Sequence, residues 1–153
     1  AVGAGGGAVY ATRWIFYALS CTLLMYEISR FLQRSLSETI FSLYLTVIVM
    51  LTGAASSYYD GWYKISFFVV STVAYVCLVY PLLTSASPHR ASIAKYIVLG
   101  WTGFPVIFLI APDGYGLISA STSAGVYLLL DIFTKVFFYL DLHPKMYRAV
   151  TSE

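Results

Sequence analysis

Polar residues interrupt this chain at intervals and leave five long apolar runs between them. The runs cover about residues 10–32, 39–58, 65–86, 92–111 and 117–141. Each reaches the roughly 20 residues that carry a helix across the hydrocarbon of a bilayer. The interruptions have turn compositions: Gln33-Arg34-Ser35-Leu36-Ser37-Glu38, Tyr59-Asp60-Gly61-Trp62-Tyr63-Lys64, Ser87-Pro88-His89-Arg90 and Pro112-Asp113-Gly114-Tyr115-Gly116. Ser37 reads as the N-cap of the second helix. Connections this short make consecutive helices antiparallel neighbours. The pattern predicts an all-α membrane bundle, with residues 1–153 forming one transmembrane domain.

Composition strengthens that reading. The chain is 59% hydrophobic and 10% charged, whereas a soluble domain is about a quarter charged. A net charge of +2, with no basic patch interleaved with aromatics and no glycine-rich phosphate loop, excludes a nucleic-acid reading. Cys21 and Cys77 both fall inside apolar runs, without metal-ligand spacing around them, so neither a zinc site nor a disulfide is expected. The glycine-rich stretch from Ala1 to Ala8 has no basic leader before it and reads as a hairpin between two helices rather than a signal peptide. The expectation is a fragment of a longer protein. The aromatic content of 18% suits membrane interfaces or a pocket for a flat ligand.

Loop charge sets the orientation. Arg30, Arg34, Arg90, Lys95, Lys145 and Arg148 fall on one side, Lys64 and Arg13 on the other. The richer side is expected to be cytoplasmic. The first and last helices then run from outside to inside, and the tail from His143 to Glu153 is cytoplasmic.

Four ionisable residues lie within the runs: Arg13, Glu27, Asp131 and Lys135. Charges in a membrane are expensive and mark ion or proton paths unless they pair to hold a bundle together. Lys135 and Asp131 are spaced i, i+4, which puts them on one helical face. A buried lysine of this kind is either half of an ion pair or a covalent anchor for an aldehyde. On the first helix Phe16, Ser20 and Glu27 fall within roughly 40° of one another, and the rise from Phe16 to Glu27 is about 16 Å. Glu27 is thus a candidate station on a proton path, the alternative being a protonated acid bonded to a neighbouring helix. In the fourth run Pro105 predicts a kink, and Trp101, Phe104 and Phe108 share a face. Tyr17, Phe68, Ser71, Thr72 and Tyr75 add aromatic and small polar surface at similar depth.

These residues resemble a microbial (type 1) rhodopsin. Asp131-x-x-x-Lys135 resembles the counterion aspartate and Schiff-base lysine of the family's last helix. Trp101-x-x-Phe104-Pro105-x-x-Phe108 resembles the retinal-pocket motif of its sixth helix. The string from Arg13 to Cys21 resembles its third helix, where Phe16, Ser20 and Glu27 occupy the three positions that distinguish the subgroups. That Phe–Ser–Glu triplet, with Cys21 after the serine, is similar to the schizorhodopsins, which are light-driven inward proton pumps. The five runs match the third to seventh helices of a seven-helix bundle, the first two being absent from this sequence. Asp113 resembles one of the acids that outward pumps use for proton release, and its usual partner position reads Ser123.

The resemblance implies all-trans retinal on Lys135 as a protonated Schiff base, with Asp131 as counterion. It implies a pocket formed by Phe16, Tyr17, Cys21, Ser71, Thr72, Tyr75, Trp101, Phe104, Pro105 and Phe108, and a proton pathway through Arg13, Ser20 and Glu27. Arg13 is expected to hold Asp131 ionised from the outer side. No metal is implied, and the protein is expected not to be an enzyme. The implied setting is a lipid bilayer in the cell membrane, with protons as the transported ion and a homo-trimer as the assembly. The alternatives are a sensory photoreceptor signalling through a partner, a light-gated channel, or a membrane protein without pigment in which Asp131 and Lys135 are only an ion pair.

Overall fold

The computed structural model describes residues 11–84, 88–142 and 144. Among them every regular element is helical: α1 (Ala11–Phe31), α2 (Leu36–Tyr58), α3 (Gly61–Leu83), α4 (Pro88–Ile110) and α5 (Ala120–Asp131). The last helix continues beyond Asp131 in a wider π register over Ile132–Val136 and again over Phe138–Leu142. The glycine-rich start and nearly all of the tail lie outside the described residues, as does the loop around Ser87. The expectations attached to the hairpin and to the basic residues of the tail therefore fall there too.

The helix ends have local causes. Helix α1 closes with Gln33 in the left-handed region, at φ 54°. The Arg34 amide bonds the Ser29 carbonyl and the Gln33 amide bonds the Arg30 carbonyl, both at 3.0 Å, the pairing of a Schellman cap. The N-cap of α2 is Ser35, not the expected Ser37. Ser35 and Glu38 form a capping box, each side chain accepting from the other's backbone amide. The box needs a spacing of three between serine and acid, which Ser37 does not have. Helix α2 consequently begins three residues earlier than expected. After α4, the amides of Tyr115, Leu117 and Ile118 bond back to the carbonyls of Leu109 and Ile110, folding the α4–α5 loop onto the helix end. Gly116, at φ 68°, supplies the left-handed residue this hook requires.

Consecutive helices pack side by side. Leu24, Met25 and Ile28 of α1, Leu78 and Leu82 of α3, Ala94, Ile97 and Trp101 of α4 and Phe138 of the last helix share one buried core. Ile15, Leu19 and Leu23 of α1 and Val69, Val73 and Val76 of α3 are exposed, as lipid-facing side chains are. Among the described residues, three helical stretches are long and apolar enough to cross a membrane on length and composition alone: Leu36–Tyr58, Gly61–Leu83 and Ala120–Leu140. Helix α1 falls short on that measure because Arg13, Glu27 and Arg30 lie within it.

Candidate functional site

Lys135 lies in the π segment of the last helix, where the Phe137 amide bonds the Ile132 carbonyl five residues back. Such widenings recur at functional sites because they turn a side chain off the regular helical path. The lysine Nζ donates to Asp131 Oδ1 at 2.6 Å, a charge-assisted bond. The Tyr17 hydroxyl, from α1, donates to Asp131 Oδ2 at 3.0 Å. The lysine nitrogen also lies 4.2 Å from the Tyr17 ring centre and 4.5 Å from that of Phe16. An ammonium over an aromatic face gains from the ring quadrupole, but neither ring carbon surface can accept a proton. One carboxylate and two rings thus surround the amine.

Arg13 meets the α4–α5 loop. Its guanidinium bonds the Asp113 carboxylate, in the α4–α5 loop, and lies 4.3 Å from the centre of the Tyr127 ring. The hooked loop brings Asp113, which is only 8% exposed, back over the end of the bundle to meet it. Tyr17, one turn further along α1, donates a hydrogen bond to Asp131. Ser123, the position paired with Asp113 in the resemblance, is buried.

A cavity of about 120 Å³ opens beside the lysine. Of the residues expected to form a pocket, Tyr17, Cys21, Trp101, Phe104, Pro105 and Phe108 line it, and so do Ser71, Thr72 and Tyr75. Phe16 does not: its side chain packs beside Lys135 and is 54% exposed. The walls are braced by aromatic contacts. Phe68 stacks on Phe108 with ring centres 5.6 Å apart, and Tyr17 meets Phe104 edge-on at 5.5 Å. Ser71 donates to the Val49 carbonyl, and Thr72 to that of Phe68. Their hydroxyls are therefore satisfied by backbone and leave mainly carbon facing the cavity.

Several wall residues were not anticipated. Thr46, Val49, Met50 and Gly53 bring α2 into the site, and Trp14, Tyr127 and Thr134 complete it. A Cβ on Gly53 would lie 2.9 Å from two ring carbons of Trp14, so this glycine makes room for the indole. Nothing in the local sequence of α2 distinguishes these positions from lipid-facing ones. Ser20 and Glu27 are half-buried on α1 and lie outside the cavity wall. Glu27 lies within electrostatic reach of Tyr139 on the last helix. Among the described residues no group of three or more His, Cys, Asp or Glu side chains is placed to hold a metal.

Residues 1–144 match the model of the bacteriorhodopsin-like protein family. The chain belongs to that family and is a microbial rhodopsin. The solved structure of schizorhodopsin 4 is 33% identical, covers 94% of this chain and 71% of that one, and superposes with a TM-score of 0.86. Sensory rhodopsin-2 of Natronomonas pharaonis is 30% identical over 143 residues, covering 85% of this chain and 59% of that protein. The light-driven proton pump of Leptosphaeria maculans shares the fold, with a TM-score of 0.81 at 19% identity over 95% of this chain and 64% of that one. The chain thus spans about 59% of the length of that sensory relative. It is a multi-pass membrane protein of a family whose members bind retinal and act as pumps, sensors or channels rather than as enzymes.

Proposed function

We propose that this chain binds all-trans retinal on Lys135 and works as a light-driven inward proton pump, with its C-terminal end in the cytoplasm. The cavity suits such a ligand: it runs from the Lys135 amine between the aromatic rings of Tyr17, Trp101, Phe104 and Phe108, with few free polar groups along its walls. When bound, retinal supplies a light-isomerised polyene whose link to the lysine nitrogen carries a proton. Asp131 supplies the negative charge that keeps this proton in place, and Tyr17 orients the carboxylate.

The observation that carries the inward direction is Phe16. Its ring stands 4.5 Å from the lysine nitrogen, on the helix that also carries Arg13 at the opposite end of the bundle from Glu27. An outward pump needs an acceptor on the outer side of that nitrogen, and a phenyl ring is none. Asp131 is already bonded to both Lys135 and Tyr17, and is best placed as a fixed charge. The proton then leaves toward Glu27 and the cytoplasm, and the site is refilled from outside. Glu27 assists by its charge or through water.

The test is the sign of the pH change when retinal-fed cells expressing the protein are illuminated. An inward pump makes the medium alkaline, and a protonophore removes the change. Acidification would overturn the direction, and a colourless protein would overturn the ligand. The similarity to sensory rhodopsin-2 supports a second reading, a photosensor signalling through a partner. That reading predicts colour and a slow photocycle without net proton flux.

A further inference from the structure

The wide register around Lys135 has no cause in its own segment. Helices depart from the regular ladder at proline, at small residues, or where a side chain intervenes. No proline or glycine stands between Tyr127 and Leu142. Side chains therefore have to hold the register, and α4 supplies one of them. Tyr96, Gly100 and Gly103 are spaced four and three apart, on one face of α4. That face lies close against the last helix: a Cβ on Gly100 would stand 2.7 Å from Thr134 Cγ2 and 3.3 Å from two ring carbons of Phe133. One turn away the Tyr96 hydroxyl donates to the Phe133 carbonyl at 3.4 Å, and the two rings lie 4.6 Å apart. The Phe133 ring stacks in turn on Phe137, with centres 6.4 Å apart. Within the segment, Thr134 donates to the Leu130 carbonyl at 2.7 Å. Two side-chain hydroxyls thus take backbone carbonyls just before Lys135. Bonds of this kind compete with the regular ladder.

We propose that Tyr96 is a positioning residue for Lys135 and, on the retinal reading above, for the link that the lysine carries. Its hydroxyl holds the Phe133 carbonyl and, together with Thr134, keeps the last helix in the wide register. That register aims the amine at once toward Asp131 and into the cavity. Return to the α register would take one residue out of the turn. The two ends of the helix would then rotate against each other by about 100° and shift by about 1.5 Å. Asp131 lies just before the wide segment and Lys135 inside it, so such a change alters the geometry of their bond. Tyr96 touches neither residue and acts only through the backbone between them.

Two measurements on Tyr96→Phe, which removes the hydroxyl and keeps the ring, test this. The first needs no pigment: hydrogen–deuterium exchange of the colourless protein in phosphatidylcholine bilayers, read by peptide mass spectrometry. The amides of Ile132–Val136 are expected to exchange about fivefold faster than in the parent chain, the factor that one net hydrogen bond commands in a local opening. Those of α2 are expected to stay unchanged. The second measurement titrates the pigment formed with all-trans retinal. A lysine link turned from Asp131 loses part of its balancing charge, which favours the neutral form. The visible band is expected to be lost at a pH lower by about half a unit, roughly a threefold loss in proton affinity. Tyr80→Phe, on the exposed face of α3, is expected to match the parent in both. Unchanged exchange over Ile132–Val136, or equal acceleration in α2, would overturn the proposal. Faster exchange with the parent's titration would also overturn it, since Tyr96 would then only support the fold. Thr134→Val removes the other hydroxyl at nearly constant size and is expected to speed the same amides. Unchanged exchange there overturns the shared hold even if Tyr96→Phe does not fold. A parent chain that never colours defeats the retinal reading, and the exchange measurement still decides whether Tyr96 holds the register.

Discussion

At the scale of single residues, the site turns on how one carboxylate is shared. Asp131 accepts from Lys135 on one oxygen and from Tyr17 on the other. Removing the acid leaves a cation in a low-dielectric site without a balancing charge, which favours its neutral form. Asp131→Asn is therefore expected to release the pigment's proton at neutral pH and move absorption from the visible to the near-ultraviolet; an unchanged visible band would remove Asp131 from the counterion role. Tyr17→Phe asks a finer question. A hydrogen bond to a charged group contributes about 1.5–3 kcal/mol, and losing it leaves the carboxylate charge concentrated toward Lys135. The expected result is a shift of the visible band to shorter wavelength, with the proton held more tightly as pH is raised. A red shift would mean that the hydroxyl acts elsewhere. The Asp131–Lys135 spacing was legible in the sequence because it is local. The Tyr17 bond was not, because its partner is 114 positions away and a tyrosine on an apolar helix looks the same whether it faces lipid or an acid.

At the scale of elements, the contact between α4 and the last helix depends on two glycines that are not equivalent. A Cβ on Gly100 would lie 2.7 Å from Thr134 Cγ2, and one on Gly103 would lie 2.8 Å from Leu130 Cδ2. Thr134 is buried, stiff at χ1, and tied to the Leu130 carbonyl at 2.7 Å, so it cannot turn aside. The Leu130 methyl is the far end of a flexible side chain and can move. Gly100→Ala is expected to cost about 1–3 kcal/mol through overpacking, and Gly103→Ala clearly less. Gly125→Ala, where a Cβ meets nothing within 4 Å, is expected to stabilise by about 0.4–1 kcal/mol through the unfolded chain. The thermal midpoints of bleaching of the three pigments should follow that order; equal midpoints would show that the α4–α5 approach is softer than its distances imply. The existence of the helices and the turns between them was legible because apolar runs and polar breaks report directly on burial in lipid. Their ends were less so. Ser37 has cap chemistry, but the reciprocal bonds of a capping box form only between Ser35 and Glu38, and the π register around Lys135 leaves no mark in a uniformly apolar run. The contribution of α2 to the cavity was hidden for the same reason: Val49, Met50 and Gly53 are ordinary membrane residues until a neighbour is placed against them.

At the scale of the whole molecule, the charged groups within α1, the α4–α5 loop and the last helix are distributed unevenly about the amine. On the side of Arg13, a guanidinium is bonded to Asp113 and capped by the Tyr127 ring, which closes that end of the cavity with a neutralised pair. On the other side, Glu27 stands half-buried on α1 three helical turns beyond Phe16, near Tyr139. Under the proposed function, a proton leaving the lysine link faces a compensated cation in one direction and an acid in the other, and the two rings of Phe16 and Tyr17 offer it no intermediate stop. On the proposed reading, this asymmetry makes Glu27 a transport residue and not a pigment residue. Glu27→Gln keeps the size and the hydrogen-bonding capacity of the side chain while removing its charge and its ability to exchange a proton. Because Glu27 lies outside the cavity wall, the variant is expected to bind retinal and absorb as the parent does. Its initial rate of light-driven alkalinisation, per mole of pigment, is expected to fall by at least about tenfold, the lower end of what a positioned acid contributes to proton transfer. Comparing that rate with the absorption spectrum of the same membranes separates the two roles. A parent-like rate would mean that the proton reaches the cytoplasm by a route that does not pass Glu27, and a lost visible band would mean that the acid helps build the pigment instead of emptying it.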